Sequence, residues 1–332
     1  MSNYLSIKFK GLSFVAAICV VIIHCPLNER GNLSDIVILG FSQWAVPFFF
    51  LVAGYFHLRS LSKYTCIELI KRNVKSLIVP YLVWCVIRMC IGGNLAMICN
   101  PLSAFGLTSV HPTANMTLWF IRMLIVFKII TILIHHICLL MLRSERGKHI
   151  LEIVVASSFF TIFILRRVEQ MTGPSSCPVY FMIGYALALI PIDILDRKFV
   201  VYNRVLMLLL AVVLLLDSCI LTVTGVYSSM ILRNLLISVQ IAALWLLYDS
   251  LFAKNAPVNI KRWMEPTFIL FCSHGMILDV FKNIWSMAFG SGYRDVAFLL
   301  FATVTPVLII SASLLIRNAS PRVYCFLSGG RK

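Results

Sequence analysis

The side chains in this sequence that can do acid–base or anion chemistry are few, and most are embedded in apolar runs. His24 closes the stretch V20VIIH24, the end of the first apolar segment. An imidazole changes charge near neutral pH, so it can take a proton from a hydroxyl and hand it back. A histidine at a membrane interface would need no such role. Two observations weigh against that plainer reading. Counted from Leu12 at about 1.5 Å per residue, His24 lies roughly 18 Å into a bilayer, past its midplane. Lys10 and Ser13 lie 14 and 11 residues upstream, and at about 100° per residue both fall within about 40° of the His24 face, so a polar stripe runs along one side of the segment.

Other groups recur in the same setting. W44AVPFFFLVAGYFHLRS60 holds Pro47, which can bend a helix, Gly54, which admits a close neighbouring backbone, and Tyr55, which offers a hydroxyl. Lys71, Arg72 and Lys75 precede an apolar run. Membrane anchoring alone would account for them, while a cradle for a phosphorylated cytosolic ligand is the functional reading. Trp119 and Arg122 stand three apart, on one helical face. Arg88 lies inside an apolar run, and His274 sits about 14 Å into another, near mid-membrane.

The elements that must position these residues are helices in lipid. The 332 residues are 60% hydrophobic and 13% charged, with mean hydropathy +0.93, whereas soluble domains carry about 25% charged residues. Spans are expected at about 12–27, 35–58, 77–100, 117–142, 149–165, 177–195, 203–223, 230–252, 265–289 and 296–316, with 166–176 a candidate re-entrant loop. The fold class is therefore all-α, a polytopic transmembrane helix bundle of about ten spans, treated as one domain over 1–332. The first segment reads as an uncleaved span, because no small-residue cleavage pattern follows it.

Twenty of the 29 Lys and Arg, Lys8 and Lys10 among them, fall on one side of this topology, which places both termini in the cytoplasm. Arg88, Arg122, Lys128, Arg233 and Lys282 remain within spans, as do Asp217 and Asp279. Ionisable groups at that depth usually face the bundle interior and have a task. The net charge of +16 is dispersed in short clusters rather than one stripe, which argues against a nucleic-acid partner. The eleven cysteines form no CxxC pair and mostly sit in apolar runs, so they read as small buried hydrophobes rather than metal ligands or a disulfide framework.

In order and spacing, V20VIIH24, P47FFFLVAGY55, R72NVKSLIVPY81, L118WFIR122, F181MIG184 and F271CSH274 resemble the integral-membrane acyltransferase 3 family, whose members O-acylate sugars and other hydroxyls. The resemblance implies an enzyme of the cell inner (cytoplasmic) membrane, multi-pass, with no bound cofactor or metal. Its donor would be acyl-CoA, most simply acetyl-CoA, and its acceptor an envelope glycan or lipid-linked sugar. His24 would be the general base. Arg122 or Arg88 would stabilise the oxyanion. Arg72 and Lys75 would meet the donor's phosphates. Lys10, Ser13, Tyr55, Trp119 and His274 would line the substrates. The chain departs from the family pattern at Ser13, where members carry Arg, at Ala53 for Ser, at Phe271 for Tyr, and at Pro47, where some carry an acid. Lys10, one turn before Ser13 on the same face, is the expected substitute for the missing Arg. The rival reading is a transporter or flippase of an envelope polysaccharide precursor, which would favour repeated, broken helices. A non-catalytic membrane subunit is a third, and a channel the weakest.

Overall fold

The computed structural model describes residues 3–27, 31–92, 99–105, 116–141, 147, 150–151, 153–158, 177–190, 204–224, 230–252 and 261–331. Among them the regular structure is helical throughout, in elements α1 (Asn3–His24), α2 (Asn32–Asp35), α3 (Ala45–Leu61), α4 (Cys66–Asn73), α5 (Val79–Ile91), α6 (Pro101–Ala104), α7 (Trp119–Met141), α8 (Cys177–Leu187), α9 (Arg204–Val223), α10 (Met230–Phe252), α11 (Thr267–Phe289), α12 (Arg294–Ala319) and α13 (Pro321–Leu327). Lipid offers no partner for backbone N–H and C=O groups, so an apolar chain must pair them within its own helices.

Seven helical stretches among the described residues are long and apolar enough to cross a membrane: Tyr4–His24, Asn32–Leu61, Cys66–Ile91, Trp119–Leu140, Leu232–Phe252, Thr267–Phe289 and Arg294–Ala319. They match seven of the ten expected spans. Cys177–Leu187 and Leu208–Leu221 are shorter apolar helices at two more. Most of the expected 149–165 span and all of the 166–176 loop lie outside the described residues, as do Arg30, Arg166, Arg167, Arg143, Arg146, Lys148, Arg197, Lys198, Lys254 and Lys332 of the charge count.

Two of these stretches are not plain α-helices. Residues Ile36–Ser42 and Val74–Ile78 are π-helical. A π-turn opens the helix by one residue and loosens the hold on its carbonyls. In the first, side chains take over. The Ser42 hydroxyl donates to the Val37 carbonyl, Gln43 Nε2 to Ile38, and Trp44 Nε1 to Phe41. Gly40 receives Gln240 Nε2 at 2.8 Å and the Cys219 thiol at 2.9 Å. Arg233 in turn donates to Gln43 Oε1. The in-span Arg233 and the polar Gln240 thus have structural tasks. Pro47 lies in the first turn of α3, just past this irregular segment, so it starts a helix rather than bending one from within.

The chain divides into two compact units, Met1–Phe49 with Ile190–Leu314, and Phe50–Leu189 with Leu315–Lys332. In the first, α1 packs against α11 and the first π-turn, and α9 and α10 form a helical hairpin. In the second, the aromatic rings of Phe50, Phe120, Phe127 and Phe181 form the centre, with Phe50 and Phe120 at 4.6 Å and Phe127 and Phe181 at 5.6 Å. There α3 and α8 cross at two glycines. A methyl on Gly54 would overlap the Phe181 carbonyl, and one on Gly184 would overlap the Leu51 carbonyl. Small residues at such crossings let helices approach where no hydrophobic force drives them together. Gly54→Ala and Gly184→Ala are each expected to destabilise the detergent-solubilised protein by about 1–3 kcal/mol or more through overpacking, read as a lowered thermal unfolding midpoint.

Candidate active site

The best-buried polar chemistry of the first unit begins on α1. Eighteen-residue windows of the spans differ in burial, and that of α1 is the most enclosed, at 61%. Lys8 and His24, about 24 Å apart along this helix, point to different neighbours. Lys8 meets α10: its ammonium is 2.7 Å from the Asp249 carboxylate and 3.6 Å from the centre of the Trp245 ring, and both charged residues are buried. Tyr4 donates its hydroxyl proton to the same carboxylate. His24 meets α11: its ring lies 5.1 Å from that of His274, centre to centre.

His274 is completely buried. Its Nδ1 is 2.6 Å from the Phe271 carbonyl. A carbonyl can only accept, so Nδ1 carries the hydrogen and the neutral ring presents its lone pair at Nε2. That nitrogen is buried and has no hydrogen-bond partner among the described residues. A buried acceptor left bare asks for an explanation. His24, half-buried, stands beside it. Asp279 and Lys282 of the same helix α11 lie within electrostatic reach of His24 with opposite signs.

The second unit has a buried histidine of a different kind. His57 Nε2 is 2.7 Å from the Thr131 hydroxyl, which itself donates to the Phe127 carbonyl at 2.8 Å. Thr131 must then accept, His57 Nε2 must donate, and the pair is satisfied. This imidazole joins α3 to α7. His57 thus has its Nε2 committed to a helix–helix bond, whereas the Nε2 of His274 is buried without a hydrogen-bond partner among the described residues.

The family model described as the acyltransferase domain matches residues 8–317. The chain belongs to the acyltransferase 3 family. No curated protein and no solved structure matches it. It is an acyltransferase, and its helices are those of a multi-pass membrane protein.

The residues singled out from sequence fall into both units of this acyltransferase. In the first, Lys10 is exposed, Ser13 and His24 are half-buried, and His274 is buried. The buried lysine of α1 is Lys8, counted from sequence among the cytoplasmic charges, rather than Lys10. In the second, Tyr55 is buried beneath the Arg59 guanidinium, 4.9 Å from its ring centre. Trp119 and Arg88 are half-buried and Arg122 is buried. Arg72 and Lys75 are exposed, with the Arg72 guanidinium stacked 4.1 Å from the centre of Tyr64. Tyr81, from the P-Y end of the basic motif, is buried and bonds the Phe105 carbonyl.

Sequence reasoning missed Asp249, His57, and the partnership of His24 with His274. Asp249 was readable as an acid inside an expected span. Its partner was not, because the two are far apart in the chain and Lys8 resembles an ordinary flanking charge. Lys8→Ala or Asp249→Ala alone should cost about 3–5 kcal/mol, since each leaves one buried charge uncompensated. The apolar double replacement Lys8→Met with Asp249→Leu should recover most of that loss, as checked by thermal unfolding in one detergent.

Proposed function

We propose that the protein is a membrane O-acyltransferase that moves an acyl group, most simply acetyl, from cytosolic acyl-CoA to a hydroxyl of an envelope glycan or lipid-linked sugar in the cytoplasmic membrane. The observation that carries this reading is the pair of His24 and His274, whose ring centres lie 5.1 Å apart, with His274 Nε2 buried and without a hydrogen-bond partner among the described residues. Membership of the acyltransferase family supports the reaction class.

An alcohol is a poor nucleophile until its proton is removed, and a group that titrates near neutrality serves best as the base. In the proposed step His24 takes the hydroxyl proton as the oxygen attacks the thioester carbonyl carbon. A C–O bond forms and the C–S bond breaks. The CoA thiolate leaves and takes the proton back from the His24 imidazolium, so the enzyme ends as it began. With one His24 nitrogen taking the hydroxyl proton, the His274 lone pair is an acceptor suited to the other ring N–H of His24, and such a bond strengthens when that ring becomes charged. Such an interaction favours the transition state over the ground state, which is what raises kcat. Arg122 and Arg88 are the proposed guanidinium groups for the oxyanion, and Arg72 with Lys75 the cations for the donor's phosphates. Lys10, Ser13, Tyr55 and Trp119 remain proposed substrate contacts.

The test is transfer from radiolabelled acetyl-CoA to a glycan acceptor by purified protein, with insertion verified separately. His24→Ala should lower kcat by about 100- to 10,000-fold. His274→Ala should fall in the same range, and the double variant should be no worse than the lower single, as for groups that act as a unit. Near-full transfer by His24→Ala would defeat the assignment. Movement of unmodified glycan precursor with no thioester consumed would favour the transporter reading instead.

A further inference from the structure

The family match ends at residue 317, yet the chain beyond it is tied into the second unit. Helix α13 packs against α5, and Trp84 Nε1 donates to the Leu327 carbonyl at 3.1 Å. The helix then ends in Gly329 and Gly330, with φ of 68° and 80°, a left-handed conformation that only glycine adopts cheaply. The Gly330 N–H returns to the Cys325 carbonyl at 2.7 Å. A methyl on Gly329 would press on the Ser76 carbonyl and the Pro80 ring. This reversal delivers Arg331, whose Nη1 donates to the Ser328 carbonyl at 2.7 Å and to the Ser76 carbonyl at 3.3 Å.

Ser76 is no ordinary acceptor. It belongs to the π-turn Val74–Ile78, and four residues on stands Pro80, which has no N–H to give it. Arg331 docks on a carbonyl that Pro80 cannot serve with an α-helical bond, one residue from Lys75 and one turn from Arg72. Lys128 is within electrostatic reach of the same guanidinium. The charge balance of the unit is one-sided: its described residues include eleven Lys and Arg but a single carboxylate, Glu68, and that one closes a capping box with Thr65. Cations gathered with so little opposing charge suit a polyanionic ligand.

We propose that Arg331 is a donor-recognition residue: held on the Ser76 carbonyl by the glycine reversal, its guanidinium joins Arg72 and Lys75 in meeting the phosphate groups of acyl-CoA. The inference rests on the CoA-dependent reading above and adds to it a residue outside the family-matched segment. A phosphate could also come from an anionic lipid headgroup, and the experiment separates the two sources.

Full-length protein is placed in phosphatidylcholine nanodiscs, with and without phosphatidylglycerol, and CoA affinity is measured by calorimetry at low and high salt. Arg331→Gln should weaken CoA binding about tenfold at low salt, as expected for loss of one charge-assisted contact, with the gap narrowing as salt screens it. Donor KM should rise in step while acceptor KM stays put. Arg331→Lys, which keeps the charge but not the fork, should lose about threefold or less. If Gln is too destabilising to assemble, the Lys variant's salt-dependent deficit carries the test. Wild-type CoA affinity in Arg331→Gln overturns the inference and leaves the function intact. So does a deficit indifferent to salt, or a change confined to phosphatidylglycerol retention. Absence of CoA binding by the wild type overturns both.

Discussion

An unpaired backbone carbonyl in hydrocarbon costs several kcal/mol, and that constraint governs how this chain can depart from regular helix. Among the described residues π-helix occurs at Ile36–Ser42 and Val74–Ile78. Each departure is underwritten by side chains from elsewhere: Gln240 and Cys219 on the Gly40 carbonyl, Arg331 on that of Ser76. The polar side chains of these apolar helices are therefore not all candidates for chemistry. Arg233, Gln240 and His57 are occupied in holding backbone or neighbouring helices. Lys8 and Asp249 satisfy each other. Subtracting these leaves a much shorter set from which a reactive group can be drawn.

In drawing that line between buried histidines, hydrogen-bond accounting decides more than burial does. His57 and His274 are both deeply buried, and exposure alone would rank them together. Their partners differ. The hydroxyl of Thr131 has its own proton committed to Phe127, so it fixes His57 as a donor and consumes its Nε2. The Phe271 carbonyl fixes His274 as a donor through Nδ1, and its Nε2 has no hydrogen-bond partner among the described residues, in a ring whose centre is 5.1 Å from that of His24. A second-neighbour contact thus sets which nitrogen of a ring is available.

Much of the helical architecture was legible because hydrophobicity is a one-dimensional signal. Seven expected spans correspond to long apolar helices. Gly54 was legible as a close-approach position because a missing side chain is itself the message, and the second unit bears this out at the Phe181 backbone. His24 stood out because an imidazole ends a run of pure aliphatics. What stayed hidden was pairing. Lys8 and Lys10 look equivalent in a line of residues, yet one is buried against Asp249 and the other is exposed. Nothing local marks Ile36–Ser42 as π-helical, since the side chains that stabilise it lie partly on α9 and α10. The second π-turn left one local trace, Pro80, four residues beyond the carbonyl it cannot serve.

An imidazole as the neighbour of the proposed base, His24, is at first sight a weaker arrangement than a carboxylate. In a low-dielectric interior the comparison changes. A buried carboxylate must be paired or hydrogen-bonded at all times, and where the protein buries one, at Asp249, it supplies both a lysine and a tyrosine. Near His24, Asp279 lies within electrostatic reach and is offset by Lys282 on the same helix. A neutral Nε2 costs less to keep dry than a free charge, because only a single lone pair goes unsatisfied. Under the proposed mechanism, a hydrogen bond to it from the other N–H of His24 would strengthen when a proton arrives on that ring. The proposed stabilisation is then greatest in the charged state through which the acyl transfer would pass, whereas a permanently charged neighbour would spend more of it on the resting enzyme.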